Sequence, residues 1–179
     1  YDLADIHANI GVIFQDFMRY DFLLRENIGV GQVENVADHA RVQEAAERGL
    51  ADTVAARLDA GYEQQLGRRF DGGVQLSGGE WQKVALARAY MRDAAVLILD
   101  EPTAALDARA EYEVFLRFTA LAAGRIAVII SHRFSTVRMA SRILVLRDGE
   151  LIEQGTHPEL VDAGGLYAEL FNLQAAGYR

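Results

Sequence analysis

Two uninterrupted runs of apolar residues constrain the fold of this chain more than any other feature. The first is Val96–Leu99 and the second is Ile126–Ile130. Because every side chain in such a run is apolar, both faces of the resulting strand are expected to be covered, as in a parallel sheet. The residues between the runs, 108–122, have a helical pattern. We therefore predict two parallel strands joined by a right-handed helical crossover.

The remaining residues add a strand, a helical region and a hairpin. Ile10–Phe14 is a short apolar run typical of a buried strand. Between residues 17 and 94, several segments are rich in alanine, glutamate and arginine with apolar residues at helical spacing. Asp148-Gly149 separates two short runs, which predicts a hairpin turn, and two short helices are expected after it. The predicted fold class is α/β, with a mostly parallel sheet flanked by helices.

Composition indicates a globular protein and narrows its partners. Of 179 residues, 51% are hydrophobic and 25% are charged, which suits one domain with a core. The formal net charge of −8 disfavours a general nucleic-acid-binding role, because such proteins are usually basic. Cysteine is absent, so disulfides and thiolate metal sites are excluded. No apolar run approaches the roughly 20 residues that a membrane-spanning helix needs.

Polar residues follow the predicted strands at their carboxyl ends, where open α/β sheets bind ligands. They are Gln15, the pair Asp100-Glu101, and His132. An aspartate that closes an apolar strand suits Mg²⁺, a hard cation that retains much of its hydration. The neighbouring carboxylate of Glu101 could orient or deprotonate an attacking water, and His132 could donate to a terminal phosphate. Alternatively, the pair is an ordinary polar strand end, although the Pro-Thr and Ala-Leu-Asp residues that follow argue against this.

The stretch Leu76–Glu80 reads Leu-Ser-Gly-Gly-Glu and precedes a long predicted helix. Ser77 and Glu80 have the spacing of a capping box, which by itself explains them as a helix start. The glycines Gly78 and Gly79 do not fit that explanation, since each costs about 1 kcal/mol of helix propensity relative to alanine. Open N–H groups at a helix N-terminus favour anions. The serine hydroxyl and these amides would therefore suit the terminal phosphate of a nucleotide.

In this order, Leu76–Glu80, Val96–Glu101 and Ser131-His132 resemble the ATP-binding-cassette (ABC) ATPases, and the resemblance covers essentially the whole chain. It implies a fold like that of the P-loop NTPases, with an inserted helical subdomain, and ATP and Mg²⁺ as cofactors. Leu76–Glu80 matches the signature sequence of the family, so Ser77, Gly78, Gly79 and Glu80 are expected to bind nucleotide. Val96–Asp100 matches the Walker B strand, with Asp100 as a magnesium ligand.

The same resemblance assigns the other site residues. Glu101 matches the catalytic carboxylate and His132 the switch histidine. Gln15 matches the Q-loop glutamine, which is expected to contact both nucleotide and Mg²⁺. Ala105–Asp107 matches the D-loop, so Asp107 is expected to bind nucleotide. Glu80 stands where glutamine is commoner and Ala104 where serine is common, but neither position carries the main chemistry.

Two further segments are similar to exporters in particular. Leu66–Phe70 lies where exporters carry a loop that relays signals to their membrane domains, and Gly165–Tyr167 with Gln174 is also typical of them. Aromatic and basic residues crowd around Gln15, in a region that contacts coupling helices of the membrane domains in exporters: Phe14, Phe17, Arg19, Tyr20, Phe22 and Arg25. The alternative is that the aromatic residues belong to the core of the helical subdomain, and the two explanations can hold for different residues.

One element of the family has no counterpart here. The phosphate-binding loop G-x-x-x-x-G-K-S/T does not occur, and the only lysine, Lys83, lies within the signature helix. The aromatic residue that stacks on adenine in the family is also missing. Since the chain begins with Tyr1 rather than methionine, we expect a fragment that lacks its N-terminal strands and phosphate loop. Such a fragment would bind ATP poorly and hydrolyse essentially none.

The resemblance also implies the organisation and partners of the chain. Residues 1–16 would form the end of the N-terminal core region with the Q-loop, 17–94 the helical signature subdomain, and 95–179 the RecA-like core. Two such domains face head to tail in the family, so a second ABC ATPase domain is expected as partner. Transmembrane domains of the transporter are the other expected partner, which places the chain at the cytoplasmic face of the cell membrane.

Three functions are therefore considered. The first is ATP hydrolysis coupled to transport by an ABC exporter. The second is a degenerate cassette that acts as a binding or regulatory module and supplies signature residues to a partner ATPase. The third, a soluble ABC ATPase of DNA repair or translation, is disfavoured by the acidic charge and by the exporter-like segment after Gln15; no nucleic acid is expected as a partner.

Overall fold

A computed structural model describes residues 2–101 and 108–177, without the side chains of residues 108–111 and 177. The helices within them are α1 (Leu3–Asn9), α2 (Leu24–Gly29), α3 (His39–Gly49), α4 (Asp52–Ala55), α5 (Gly78–Tyr90), α6 (Ala108–Ala122), α7 (Phe134–Val137), α8 (His157–Ala163) and α9 (Leu166–Gly177). The strands are β1 (Ile10–Ile13), β2 (Val96–Asp100), β3 (Ile126–Ile130), β4 (Ile143–Arg147) and β5 (Glu150–Gly155). The chain divides into two compact units between Ile130 and Ser131. The finer division at residues 16 and 94 stays a prediction.

A three-stranded parallel sheet forms the centre of the first unit. Its strand order is β1-β2-β3, with Val12 paired to Ile98 and Ile98 to Val128. Helix α6 lies in the chain between β2 and β3, so the predicted strand–helix–strand arrangement is confirmed. The carboxyl ends of all three strands lie at one edge because the strands are parallel.

The two faces of this sheet differ in burial. Leu97 and Leu99, each 1% exposed, belong to a core that also contains Leu86 of α5 and Phe118 of α6. The opposite face carries large aliphatic side chains that remain exposed, among them Val128 and Ile126, the latter 66% exposed. Among the described residues, the sheet is therefore covered on one face only, and the expectation that both faces are covered is not met there.

The residues between β1 and β2 form a helical region built around α5. The side chains of Trp81 and Val84 on this helix are fully buried and contribute to the core. Helix α3 packs closely on α5, because a Cβ atom at Gly49 would lie only 2.6 Å from the amide nitrogen of Ala87. This close approach requires glycine at the last position of α3.

The second unit contains the predicted hairpin and the two C-terminal helices. Strands β4 and β5 pair antiparallel, and both turn residues, Asp148 and Gly149, have positive φ (53° and 83°), as the tight hairpin turn requires. Glu153 of β5 accepts hydrogen bonds from the backbone amides of Leu166 at 2.6 Å and Tyr167 at 3.2 Å. These bonds fix the start of α9 against the hairpin.

The helices in the part of the chain that the structure describes are short or carry polar residues. None of its helices combines the length and the apolar character needed to cross a membrane.

Candidate functional site

The N-terminus of α5 is built by a capping box, as the sequence predicts. Ser77 is the N-cap, and its Oγ accepts a hydrogen bond from the amide of Glu80 at 3.4 Å. In return, Oε2 of Glu80 accepts from the backbone amide and from the hydroxyl of Ser77, each at 2.8 Å. The other carboxylate oxygen of Glu80 pairs with the Arg57 guanidinium at 2.5 Å.

These interactions change the acidity of Glu80. Partial burial raises the pKa of Glu80. The two hydrogen bonds from Ser77 and the positive charge of Arg57 lower the pKa by more than burial raises it. The net effect is a pKa below the ordinary value of a glutamate, so the carboxylate is ionised at neutral pH. Arg57 lies 23 residues before Glu80 in the sequence, and no local pattern links the two residues, so the sequence alone does not predict this ion pair.

Contacts among the described residues do not require glycine at position 78. Gly78 is exposed, and a Cβ atom built on it would meet nothing within 4 Å. This contrasts with Gly31, where a Cβ atom would overlap the carbonyl oxygen of Arg88. Packing therefore explains Gly31 and leaves Gly78 without a structural reason inside the described residues. The amides at the start of α5 are accessible to a group from outside the chain.

The polar residues at the strand ends lie where the sequence places them. Gln15 is exposed in the turn two residues after β1, and Asp100 is the last residue of β2. Glu101 follows with φ of 47°, in the left-handed region, and its amide donates to the carbonyl of Ile130 at 2.9 Å. Such a φ is uncommon for a residue other than glycine and often occurs at functional sites.

Two cavities adjoin the N-terminus of α5. Gln15, Gly78 and Glu101, which come from three separate segments, line the first, of about 210 Å³. Ser77, Gly79 and Glu80 line the second, of about 220 Å³, together with Lys83. The structure thus brings residues of three predicted motifs to the first cavity, whereas Asp100 is not among the described residues that line either one.

The donor set at the strand ends suits Mg²⁺. Among the described residues, no three carboxylate or imidazole side chains lie close enough to hold a metal ion by themselves. One carboxylate from Asp100 and one amide oxygen from Gln15 are oxygen ligands of the kind that Mg²⁺ prefers, with phosphates and water as the remaining ligands. The chemistry of these two residues therefore fits a magnesium ion.

His132 belongs to the second unit and is exposed just before α7. Gln174 of α9 holds the backbone on both sides of it: Nε2 donates to the carbonyl of His132 at 3.4 Å, and Oε1 accepts from the amide of Phe134 at 3.1 Å. The sequence suggested Gln174 only as an exporter-like feature, and this contact adds a structural reason for it. Asp107 and the rest of the predicted D-loop lie outside the described residues.

The aromatic residues near Gln15 divide between core and surface. Phe17 packs against the core, whereas Phe14 and Phe22 are exposed. The rings of Tyr20 and Phe22 stack with centroids 5.2 Å apart. Met18, in the same segment, is 62% exposed. The core explanation thus holds for Phe17, and the exposed residues leave a surface that a partner can contact.

The segment around Phe22 is joined to the loop ahead of the signature. The amide of Leu66 donates to the carbonyl of Phe22 at 3.0 Å, and the amide of Leu24 to the carbonyl of Gln64 at 2.9 Å. Gly67 has φ of 84°, and a Cβ atom there would overlap the Asp21 carboxylate. The predicted exporter-like loop 66–70 therefore begins in direct contact with the exposed apolar surface.

Comparisons with known proteins agree with these observations. The model of the family described as "ABC transporter" matches residues 1–104. The chain is 43% identical, over 94% of its length, to the subtilin transport ATP-binding protein SpaT of Bacillus subtilis. It is 42% identical, over 97% of its length, to an ATP-dependent lipid A-core flippase of Burkholderia orbicola.

A solved structure shares the fold. The structure of a bacterial Atm1-family ABC exporter with ATP bound matches 96% of the chain with a TM-score of 0.86 and 38% identity. The chain spans 28% of the length of each of the two curated relatives and 29% of the exporter chain. The mixed α/β fold with a parallel sheet flanked by helices is therefore the P-loop NTPase fold predicted from the sequence.

Proposed function

Since the chain belongs to the ABC transporter family, we propose that it forms part of the ATP-hydrolysing domain of an exporter and couples ATP hydrolysis to transport. The observation that carries this proposal is the exposed N-terminus of α5, where Gly78 has no neighbour among the described residues that requires glycine. An anion that approaches from outside would meet open amides and the positive end of the helix dipole.

The N-terminus of α5 would bind a nucleotide held by a second ABC ATPase domain. The terminal phosphate would contact the Ser77 hydroxyl and the amides of Gly78 and Gly79. Glu80 would act through Ser77, because its carboxylate already accepts both donors of that residue at 2.8 Å. The backbone amides, whose directions the helix fixes, are preorganised donors of the kind that stabilise the charge that develops during phosphoryl transfer, whereas the hydroxyl would first turn away from Glu80.

Residues at the carboxyl ends of the strands would bind Mg²⁺ and activate the attacking water. We propose that Asp100 and Gln15 hold Mg²⁺, which when bound neutralises charge on the phosphates. Glu101 would orient and deprotonate the attacking water, for which its backbone is fixed by the bond to Ile130. His132 would donate to the terminal phosphate, and Asp107 would contact nucleotide from the D-loop.

The chain would depend on another segment for its phosphate loop. It contains no G-x-x-x-x-G-K-S/T sequence, which is the part that cradles the β- and γ-phosphates in such enzymes. We expect the isolated chain to bind ATP weakly and to hydrolyse essentially none. Calorimetric titration with Mg-ATP tests this, and a micromolar dissociation constant for the isolated chain would contradict it.

The exposed apolar surface would contact transmembrane domains. Phe14, Met18 and Phe22 are exposed, Phe22 is bonded through its carbonyl to Leu66 at the start of the loop, and relatives of the chain are named as transport proteins and flippases. A partner in the membrane at this surface would place the chain on the cytoplasmic face. The transported substrate would then be chosen by the membrane domains.

A chimera tests the proposed activity. This chain would replace the matching segment of the subtilin transport protein SpaT, to which it is 43% identical, so that a phosphate loop precedes it. We expect the purified chimera in liposomes to hydrolyse ATP. Hydrolysis only after mixing with an intact partner domain would instead favour a module that supplies signature residues. A folded chimera that binds ATP and hydrolyses none under either condition would contradict the proposal.

A further inference from the structure

Arg88 near the end of α5 bonds to a segment of the chain that lies far away in sequence. Its Nε atom donates to the carbonyl oxygen of Asn27 at 2.5 Å and its Nη2 atom to Oδ1 of the same residue at 2.8 Å. Its Nη1 atom donates to the carbonyl of Met18 at 2.6 Å. The guanidinium also lies over the ring of Tyr20, with Cζ 5.2 Å from the ring centroid.

Asn27 extends these contacts along the same segment. Its side chain is fully buried, and Nδ2 lies within hydrogen-bond distance of the carbonyls of Tyr20 (3.0 Å), Phe22 (3.3 Å) and Leu23 (3.2 Å). Arg88 and Asn27 together therefore hold four carbonyl groups between Met18 and Leu23. The carbonyls of Phe22 and Leu23 also accept from the backbone amides of Leu66 and Asn27, so the two side chains add to backbone bonds there and supply partners for the carbonyls of Met18 and Tyr20.

Arg88 thus connects two regions to which a function is proposed above, the exposed apolar surface and the N-terminus of α5. The segment Met18–Leu23 follows Gln15 and carries the exposed apolar surface. Helix α5 carries Ser77–Gly79 at its other end, eleven residues from Arg88, which corresponds to about 16 Å along a helix. A helix of this length is stiff, so a shift of one end moves the other.

We infer that Arg88 is a positioning residue that fixes the segment Met18–Leu23 to α5, so that the surface after Gln15 and the N-terminus of α5 move as one body. A displacement of that surface by a partner would thereby reach Ser77 and its neighbouring amides. The functional meaning rests on the proposed function, whereas the mechanical connection itself does not require nucleotide.

Arginine suits this role better than lysine. Its planar guanidinium presents several N–H donors in fixed directions and can stack on an aromatic ring, whereas a lysine ammonium is a compact point charge. Burial lowers the pKa of Arg88 to about 10, which still leaves the side chain charged at neutral pH. Replacement by lysine therefore keeps the charge and removes the multiple directed bonds.

Distance measurements between spin labels test the inference. Because the chain contains no cysteine, labels can be placed at Met18→Cys in the segment and at Gln43→Cys on α3, which packs on α5; both positions are exposed. We expect a narrow distance distribution in this double variant and a distribution broadened about twofold or more when Arg88→Lys is added, as local order is lost. An unchanged distribution in the folded Arg88→Lys protein would overturn the inference.

Two controls separate positioning from general stability. Arg48→Lys also removes a guanidinium from a tyrosine ring, since Arg48 lies 4.6 Å from the ring centroid of Tyr90, and it should leave the distribution unchanged. A second label pair at Gln43→Cys and Gln75→Cys, within the helical region, should stay narrow in Arg88→Lys. Equal broadening of both pairs would indicate general loosening and would contradict a positioning role.

A measurement on the unmutated chain covers the case in which Arg88→Lys fails to fold. Nuclear magnetic resonance can follow hydrogen exchange of the arginine Nε–H groups. We expect the Nε–H of Arg88 to exchange at least about tenfold more slowly than that of the exposed Arg68, because it is bonded and half-buried. Equal exchange rates would overturn the inference without any substitution.

Discussion

The carboxylate of Glu80 accepts both hydrogen-bond donors of Ser77, the amide and the hydroxyl, at the same distance of 2.8 Å. The hydroxyl hydrogen is therefore directed toward Glu80 and away from any group that approaches the helix. A phosphate at this position would have to turn the hydroxyl toward itself. The capping box thus stabilises the helix and also sets the resting orientation of the serine.

Acid should remove the stabilisation that Glu80 provides. The pKa of Glu80 is lowered in the folded chain, so its contribution is present above the unfolded value of about 4.3 and is lost as the pH falls through the lower folded value. We expect Glu80→Gln to be less stable than the parent by about 1 kcal/mol at pH 6, with a smaller difference near pH 3. Urea unfolding across this range measures it. The exposed Glu34→Gln serves as control, and a difference that does not change with pH would contradict the assignment.

Alanine at position 78 should leave the folded chain as stable as before or more stable, and should slow ATP hydrolysis. A Cβ atom there meets nothing within 4 Å in the described part of the chain, and alanine improves helix propensity by up to about 1 kcal/mol. We expect Gly78→Ala to keep or raise the melting temperature of the chain and to lower ATP hydrolysis by the chimera about tenfold or more, because the added methyl group obstructs phosphate.

The matched variant is Gly31→Ala. Its Cβ atom would overlap the carbonyl oxygen of Arg88, so it should lower the melting temperature. Full ATP hydrolysis by the Gly78→Ala chimera would show that the glycine does not serve a ligand.

Removal of the proposed base should stop hydrolysis and spare binding. We expect Glu101→Gln in the chimera to lower the rate of ATP hydrolysis by about 10²–10⁴-fold, while the dissociation constant for ATP stays nearly unchanged. Phosphate release and calorimetry measure the two quantities. Glu169→Gln, an exposed position on α9, should have no effect. A normal rate in Glu101→Gln would make the assignment of the base wrong.

The contact between α3 and α5 should tolerate no side chain at Gly49. A Cβ atom there would lie 2.6 Å from the nitrogen and 2.7 Å from the Cα atom of Ala87, so backbone must move. We expect Gly49→Ala to lower the free energy of unfolding by about 1–3 kcal/mol, as overpacked core variants do. Urea unfolding followed by circular dichroism measures this. Glu47→Ala, exposed on the same helix, should change stability little, and an equally small effect of Gly49→Ala would contradict the close approach.

Apolar runs and turn residues predict most of the secondary structure, because strands, helices and tight turns each require a particular local order of residues. The apolar runs at Val96–Leu99 and Ile126–Ile130 correspond to β2 and β3, and Asp148-Gly149 forms the hairpin turn. A glycine after a helical run, such as Gly49, is a common helix-ending signal. It does end α3, but the left-handed residue is Leu50, with φ of 65°, and glycine is needed for contact with α5.

The candidate site was predictable where residues stand next to each other in the sequence. Ser77 and Glu80 form the capping box that their spacing indicates. The partners of Arg88 are 61 and 70 residues away, and no periodic pattern encodes such contacts. The one available signal was a charged residue in a helix that is otherwise apolar from Val84 to Tyr90.

Strand β3 has further significance for work with the purified chain. In the part of the chain that is described, it borders only β2, and Ile126, Val128 and Ile130 are exposed along it. Unpaired strand edges with aliphatic side chains promote pairing between molecules. The chain should therefore self-associate as its concentration rises. Ligand titrations should be made at concentrations low enough that light scattering gives the molar mass of a single chain.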